Sequence, residues 1–274
     1  MRDLSRDTAF LSINAATLKP LTLRQAVETL ARHDIRAIAP WRDRLAEYGV
    51  REAAQLFGDH GMTITGLCRG GMFTSGNEAL DDNRRAIDEA AAIGAQCLVL
   101  VVGGLAPRSR DLAEARQIVR DGIAAMLPHA RAAGVKLAIE PLHPMYAADR
   151  ACINTMTQAN DLCDALGDGL GIAVDLYHVW WDPRLEAEIA RAGRHKGRIL
   201  AFHICDWLVP TRDLLLDRGM MGDGVIDIRR IRSCVEAAGY TGHCEVEIFS
   251  AENWWKREPD DVLRICVERY QSCC

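Results

Sequence analysis

The sequence has no strongly apolar run longer than Cys97–Val102, far short of the roughly 20 residues a helix needs to cross a bilayer. Its opening, MRDLSRDTAF, contains no apolar stretch of the kind that directs secretion, so a cytoplasmic chain without a signal peptide or membrane partner is expected. It holds 10 cysteines, yet no two stand in C-x-x-C spacing. Cys97, Cys163, Cys234 and Cys266 lie among apolar residues, where a thiol acts as a small hydrophobe. Reduced thiols in an intracellular compartment are therefore expected, with Cys273 and Cys274 frayed and open to oxidation. Positive charge is not in excess. A formal net charge of −5 and a pI of about 5.9 argue against a broad basic surface for nucleic acid. No Pro/Gly/Ser-rich linker or low-complexity segment divides the 274 residues, so a single domain over 1–274 is expected.

What the chain does contain is an end-to-end alternation of strand-like and helix-like segments. Strands are expected at Phe10–Asn14, Ala37–Trp41, Thr63–Cys68, Cys97–Val102, Lys136–Glu140, Ile172–Asp175, Ile199–Ile204 and Cys244–Phe249. Amphipathic stretches such as Thr22–His33, Asn77–Ile93 and Asp111–Ala133 have helical period. Several close on the stop signal of a glycine after an alanine-rich turn, at Ile93-Gly94, Ala133-Gly134 and Ala238-Gly239. Eight such units predict an α/β fold, a (β/α)8 TIM barrel. An open doubly wound sheet is the alternative. It would usually carry a glycine-rich phosphate turn after the first strand, and SINAATLKP has none.

Four of the expected strands end in a residue that can ligate a metal: LAIE at Glu140, IAVD at Asp175, AFH at His203 and EVE at Glu247. Alternate side chains of a strand face opposite ways. One face of these runs is apolar, as in Leu137, Ile139, Ile172, Val174, Leu200, Phe202, Val246 and Ile248. The other carries Ala138, Ala173, Ala201 or Glu245, then the polar end residue. Isolated buried carboxylates are costly, and convergence on one cation accounts for all four together. Three carboxylates and an imidazole favour a single divalent ion, Mn²⁺ first, with Mg²⁺, Co²⁺ or Zn²⁺ as alternatives. His203 alone could equally be a core histidine, and Glu245 could replace Glu247. Glu247 is preferred at the strand end, while Glu245, one layer deeper, could pair with Lys136. All six tryptophans (Trp41, Trp180, Trp181, Trp207, Trp254 and Trp255) follow expected strands, which predicts an aromatic-walled pocket at the barrel mouth.

The stretches AIEP, VDLYH, FHICD and VEIF, with the loop DRGMMGDGVID, resemble the xylose isomerase-like barrels of the sugar isomerase and epimerase superfamily. The resemblance is greatest to the D-tagatose/D-psicose 3-epimerase and hydroxypyruvate isomerase group. It implies that Glu140, Asp175, His203 and Glu247 are the metal ligands and that Glu140 and Glu247 are also the catalytic proton-transfer pair. It further implies that His178 and Arg218 contact substrate oxygens. The chemistry implied is acidification by the cation of a C–H beside a ketone. One glutamate then removes that proton to give a cis-enediolate. The other returns it from the opposite face, to the same carbon in an epimerase or its neighbour in an isomerase. Arg218 is read as a substrate donor rather than a structural residue, a surface ion pair with Asp217 or Asp223 being the plainer alternative.

Three stretches depart from the epimerase pattern: ICDWLVPTRDLLLD after His203, PLHPMYAADR with His143 and Arg150, and CRGGMF with Arg69. They suggest more donors than a free ketohexose requires. Substrate contacts are thus expected from His178, Arg218, His143, Arg69 and Trp41. The partner is a small carbohydrate-like molecule, and a homo-oligomer is compatible with the sequence. A dehydratase of a keto-cyclitol, similar to inosose dehydratase, would use the same metal and base. An endonuclease IV-type enzyme is a remote third reading. It requires further histidines where this chain has Trp41-Arg42, Cys68-Arg69 and Gly222-Asp223-Gly224.

Overall fold

The computed structural model describes residues 2–76 and 78–274. Its strands are β1 (Leu11–Asn14), β2 (Ala37–Ala39), β3 (Thr63–Ile64), β4 (Leu67–Gly71), β5 (Leu98–Val101), β6 (Leu137–Ile139), β7 (Leu170–Asp175), β8 (Ile199–Ile204), β9 (Asp206–Trp207), β10 (Arg218–Gly219) and β11 (Cys244–Val246). One parallel sheet runs in the order β3-β2-β1-β11-β8-β7-β6-β5-β4. Between its ends, β3 and β4 are two pieces of one broken strand. The Thr65 N–H donates to Ile38 O on one side at 3.0 Å and the Leu67 N–H to Cys97 O on the other at 2.9 Å. A parallel bridge joins Trp41 to Cys68. The sheet so closes on itself with helices outside it, as a (β/α)8 barrel.

Local chemistry explains where the helices begin and end. Thr22 and Gln25 form a capping box at the start of Leu23–Arg32, and the Asp111 carboxylate accepts from the Ala113 and Glu114 N–H groups ahead of Leu112–Ala132. Gly94, Gly134 and Gly239 take φ of +68°, +71° and +90°, the left-handed turn that stops a helix with least strain in glycine. The helix expected from Asn77 runs over Ala79–Ala92, and Asn77 lies outside the described residues.

Two hydrophobic layers follow from the strand alternation. Ile139, Val174, Phe202 and Val246 belong to the layer shared by sheet and helices. Cys68, Cys97, Val99, Ala138, Ala173 and Ala201 fill the barrel interior. The small interior alanines leave room above them, where the end residues project. Leu200 departs from its expected outward face. The β7–β8 register shifts beside it, and it packs on the interior cluster.

All ten cysteines are free thiols. The expected fraying at the terminus is corrected, because a helix runs over Pro259–Cys273 and Cys274 is buried in the core. Among the described residues no helix is long and apolar enough to cross a membrane.

Candidate metal centre and active site

Asp175 closes β7 and His203 lies opposite it on β8. Glu140 and Glu247 are the first residues past β6 and β11, still held by barrel hydrogen bonds from their N–H groups to Leu100 O and Ile204 O at 3.2 and 3.1 Å. One ligand atom of each of these four buried side chains lies within 4.8 Å of every other. His203 Nδ1 stands 2.9 Å from Glu140 Oε1 and 4.0 Å from both Asp175 Oδ2 and Glu247 Oε2.

Charge, too, fits this set to a cation. Burial pushes the Asp175 carboxyl up to about 6, Arg218 opposing and Glu247 adding to the shift. Burial also raises Glu247, against the pull of Arg218 and His203. Burial would lower the His203 imidazole, but the Glu245 and Glu140 carboxylates outweigh it and hold it well above its usual value. Asp175 and Glu247 hold their protons because burial penalises the charged carboxylate, and His203 holds its proton because carboxylates surround it. Donors spanning 4.8 Å match the roughly 4.4 Å between opposite ligands of a cation bound at about 2.2 Å, given a few tenths of an ångström of closure.

A pH dependence follows. Asp175 binds its proton more tightly folded than unfolded, so metal-free stability should fall as pH rises from its unfolded value of 3.8 through about 6, by about 3 kcal/mol. His203, also raised, adds stability below its unfolded pKa that is lost as pH climbs through its folded one. Divalent metal should remove much of this fall, with affinity rising over the same range. Denaturant titrations at a series of pH values, with and without metal, check both statements.

Arg218 lies at the heart of the site. Its Nη1 donates to Glu247 Oε2 at 2.9 Å and to Asp175 Oδ2 at 3.3 Å. Its guanidinium lies over the Tyr177 and Phe249 rings, 4.4 and 4.8 Å from their centroids. The alternative of a surface ion pair with Asp217 or Asp223 is not what the structure shows. The expectation of a purely substrate-facing residue is also corrected, because Arg218 pairs with buried carboxylates and supports the fold as well as lining the cavity. The loop after it is built on Asp206, whose carboxylate accepts from the Gly222, Gly224 and Ile226 N–H groups. At Gly224 a Cβ would meet Trp207 O at 2.2 Å and Asp206 Oδ1 at 2.6 Å, so no larger residue fits. His178 Nδ1 accepts the His143 N–H at 3.3 Å. Burial and Arg218 push its pKa well down, leaving a neutral ring whose Nε2 faces Arg218 at 3.3 Å.

Below the cluster, Glu245 accepts from Asn14 Nδ2 at 2.8 Å and Thr65 Oγ1 at 2.7 Å, and its Oε1 is 3.5 Å from His203 Nε2. These partners replace the expected Lys136. A carboxylate on that side favours the tautomer with hydrogen on Nε2, freeing Nδ1 toward the other carboxylates. Asn14 also accepts from Trp41 Nε1 at 2.7 Å. Glu245→Gln should lower stability by about 1–3 kcal/mol and leave metal stoichiometry unchanged, measured by denaturation and metal analysis. Loss of the metal in Glu245→Gln with retention in Glu247→Gln would reverse the two assignments.

Above the cluster lies a cavity of about 300 Å³ lined by Glu140, Glu247, His178, Arg218, Arg69 and Trp41, among others. The structure therefore brings these expected residues together at one space. It does not bring His143 there. That ring stacks on Trp207, centroids 5.1 Å apart, and its Nδ1 accepts the Met145 N–H. The aromatic wall is also corrected: Trp41 and Trp255 line the cavity with Tyr146 and Phe249, whereas Trp180 and Trp207 pack on each other and Trp181 Nε1 donates to His178 O. Sequence reasoning missed Tyr146, Lys19, Leu215 and Leu216 as lining residues. Tyr146 and Tyr177 hydroxyls both donate to Leu214 O, at 2.8 and 2.9 Å. They hold the long segment after His203 across the cavity. Its unusual length was the available signal.

Among the described residues, these four are the group of His, Cys, Asp and Glu side chains placed to share a metal. The structure of protein SMc04130 from Sinorhizobium meliloti 1021 superimposes with a TM-score of 0.96 and 59% identity, over 98% of this chain and 99% of that one. The structure of IOLI protein with a bound zinc atom gives a TM-score of 0.79 at 19% identity, over 94% and 95% of the two chains; at that identity the likeness concerns the fold. An inosose isomerase of Halalkalibacterium halodurans is 29% identical over 152 residues, and the match spans about half the length of each chain. The sequence model described as xylose isomerase-like TIM barrel matches residues 25–266, a span that holds all four clustered residues, and the chain belongs to that family.

Proposed function

We propose that the protein is a divalent-metal-dependent isomerase or epimerase of a keto sugar or related polyol ketone. The observation that carries this is the buried Glu140–Asp175–His203–Glu247 cluster at the floor of a cavity that His178, Arg218, Arg69 and Arg150 also line. A cation held there would polarise a ketone and acidify the neighbouring C–H. Its donor set suits Mn²⁺, with Zn²⁺, present in the IOLI structure, among the alternatives.

The positions of the side chains in the barrel support a role for each. Glu140 follows β6 and Glu247 follows β11, with β7 and β8 between them in the sheet. A substrate seated between the two strands meets one carboxylate on each face, so one can take the proton and the other return it. Arg218 opposes the effect of burial on Glu247 and presents a charge to the developing enediolate, while neutral His178 offers a hydrogen bond beside it. Leu215 and Leu216 line the cavity and give it apolar surface beside the reacting groups. Free thiols throughout suit a cytoplasmic enzyme.

The deciding experiment is incubation of metal-loaded protein in D₂O with ketoses, inososes and keto acids, followed by mass spectrometry. Deuterium uptake with no other change of mass supports isomerisation or epimerisation. Loss of water identifies a dehydratase instead, and no exchange on any ketone sinks the reading.

A further inference from the structure

Two arginines near the barrel mouth have two acidic partners each. Arg42 contacts Asp82 at 2.8 Å and also Glu89, and Arg218 holds Glu247 and Asp175. Arg69 and Arg150 differ. Both are half-buried and both line the cavity beside Glu140 and Glu247. Among the described residues, neither guanidinium makes a hydrogen bond or ion pair; Arg150 only approaches the Tyr146 ring, 5.5 Å from its centroid. They share that one cavity. Burial and the charge of Arg150 both push the Arg69 pKa down, the mark of two like charges sharing a space. Lys19, with one long contact to Asp43 at 3.8 Å, lines the same cavity.

The charges can be balanced group by group. The three cluster carboxylates would be neutralised by Arg218 and a divalent cation, and Glu245 beneath them is held by Asn14 and Thr65. Arg69 and Arg150 have no carboxylate in contact among the described residues, which leaves their donors available to a ligand. Guanidinium pairs of this kind recognise planar or tetrahedral oxyanions.

We infer that Arg69 and Arg150 form an anion subsite, and that the substrate is a keto sugar bearing a carboxylate or phosphate at the end remote from the reacting ketone. The inference rests on the isomerase reading for the reacting end and on the two unpartnered arginines for the other. It sets the orientation: the ketone lies over Glu140 and Glu247, and the anionic end points to Arg69 on β4 and to Arg150 in the segment after β6.

Two measurements test it. The first compares deuterium exchange on D-fructose, D-fructose 6-phosphate and 5-keto-D-gluconate. At least one charged ketone should exceed the neutral one in kcat/KM by about 10- to 100-fold, the range expected for charge-assisted hydrogen bonds. Which one does so separates phosphate from carboxylate. Arg69→Gln and Arg150→Gln should each shrink that ratio, which loss of fold or metal would not do because both rates would fall together. The second is calorimetric titration of metal-loaded protein with the unreactive probes glucitol, glucitol 6-phosphate and D-gluconate. A charged probe should bind about 10-fold or more tighter than glucitol. Equal affinity for all three, or a margin that survives both substitutions, overturns the subsite. Charged-probe preference without exchange on any ketone sinks the isomerase reading and leaves the subsite standing, and exchange without charge preference does the reverse.

Discussion

At saturating metal, Glu247→Gln is expected to lower kcat by about 10³-fold, within the 10²–10⁴ range for loss of a positioned acid–base group. In the proposed reaction Glu247 has two tasks. It belongs to the cluster, and it serves as the acid or base on the β11 side of the cavity. The amide keeps the shape and one donor oxygen but cannot carry the proton. Glu140 on the opposite side is untouched, so a residual activity should remain visible. One substrate epimer should still exchange its proton with D₂O through Glu140 while conversion to the other epimer stops. Glu140→Gln should give the mirror image, with exchange retained in the other epimer. NMR of each substrate in D₂O resolves the two cases. If both variants lose exchange in both epimers while keeping the metal, one carboxylate handles both faces and the pairing is wrong.

Arg218→Ala should combine a loss of kcat/KM of about 10²–10³-fold with a loss of metal-free stability of about 3–5 kcal/mol. The second effect arises because Arg218 is the buried counter-charge of Asp175 and Glu247. Removing it leaves two carboxylates in the barrel without their cation. Added divalent metal should recover part of the stability, since it neutralises the same oxygens, but little of the rate. Arg218→Lys should recover little of either, because an ammonium cannot both reach the carboxylates and lie flat between Tyr177 and Phe249. Denaturation with and without metal, beside steady-state kinetics, checks the pattern. Unchanged stability in Arg218→Ala would mean that the carboxylates find another counter-charge.

The barrel and the cluster were legible in sequence for one reason. Strand alternation is local, so a small residue followed two positions later by a carboxylate or imidazole reports the inner face directly. Alternation does not separate Glu247 from Glu245, which face the same way; the place at the strand end favours Glu247, and the register of β11 puts Glu245 opposite His203. What failed to show depends on loops and long-range contacts. Nothing near Arg218 in sequence announces Asp175 and Glu247. Nothing near Tyr146 announces that it anchors Leu214. The tryptophans follow their strands as expected, but loop packing turns Trp180 and Trp207 toward each other rather than the cavity. The bulge at Leu200 and the break between β3 and β4 arise from pairing with neighbouring strands, which a single segment does not encode. Arg69 and Arg150 stood out as extra donors in sequence. Their lack of acidic partners is a property of the folded cavity.

Metal analysis of the purified protein and its four ligand variants tests the account most directly. The wild-type chain should hold one divalent cation per molecule after loading and dialysis. Asp175→Asn and His203→Ala should lose it, since each removes a donor from the cluster, and chelation should abolish turnover that added Mn²⁺ restores. A wild-type chain that retains no divalent cation, or variants that all retain it in full, would contradict the central claim that these four side chains form a metal centre.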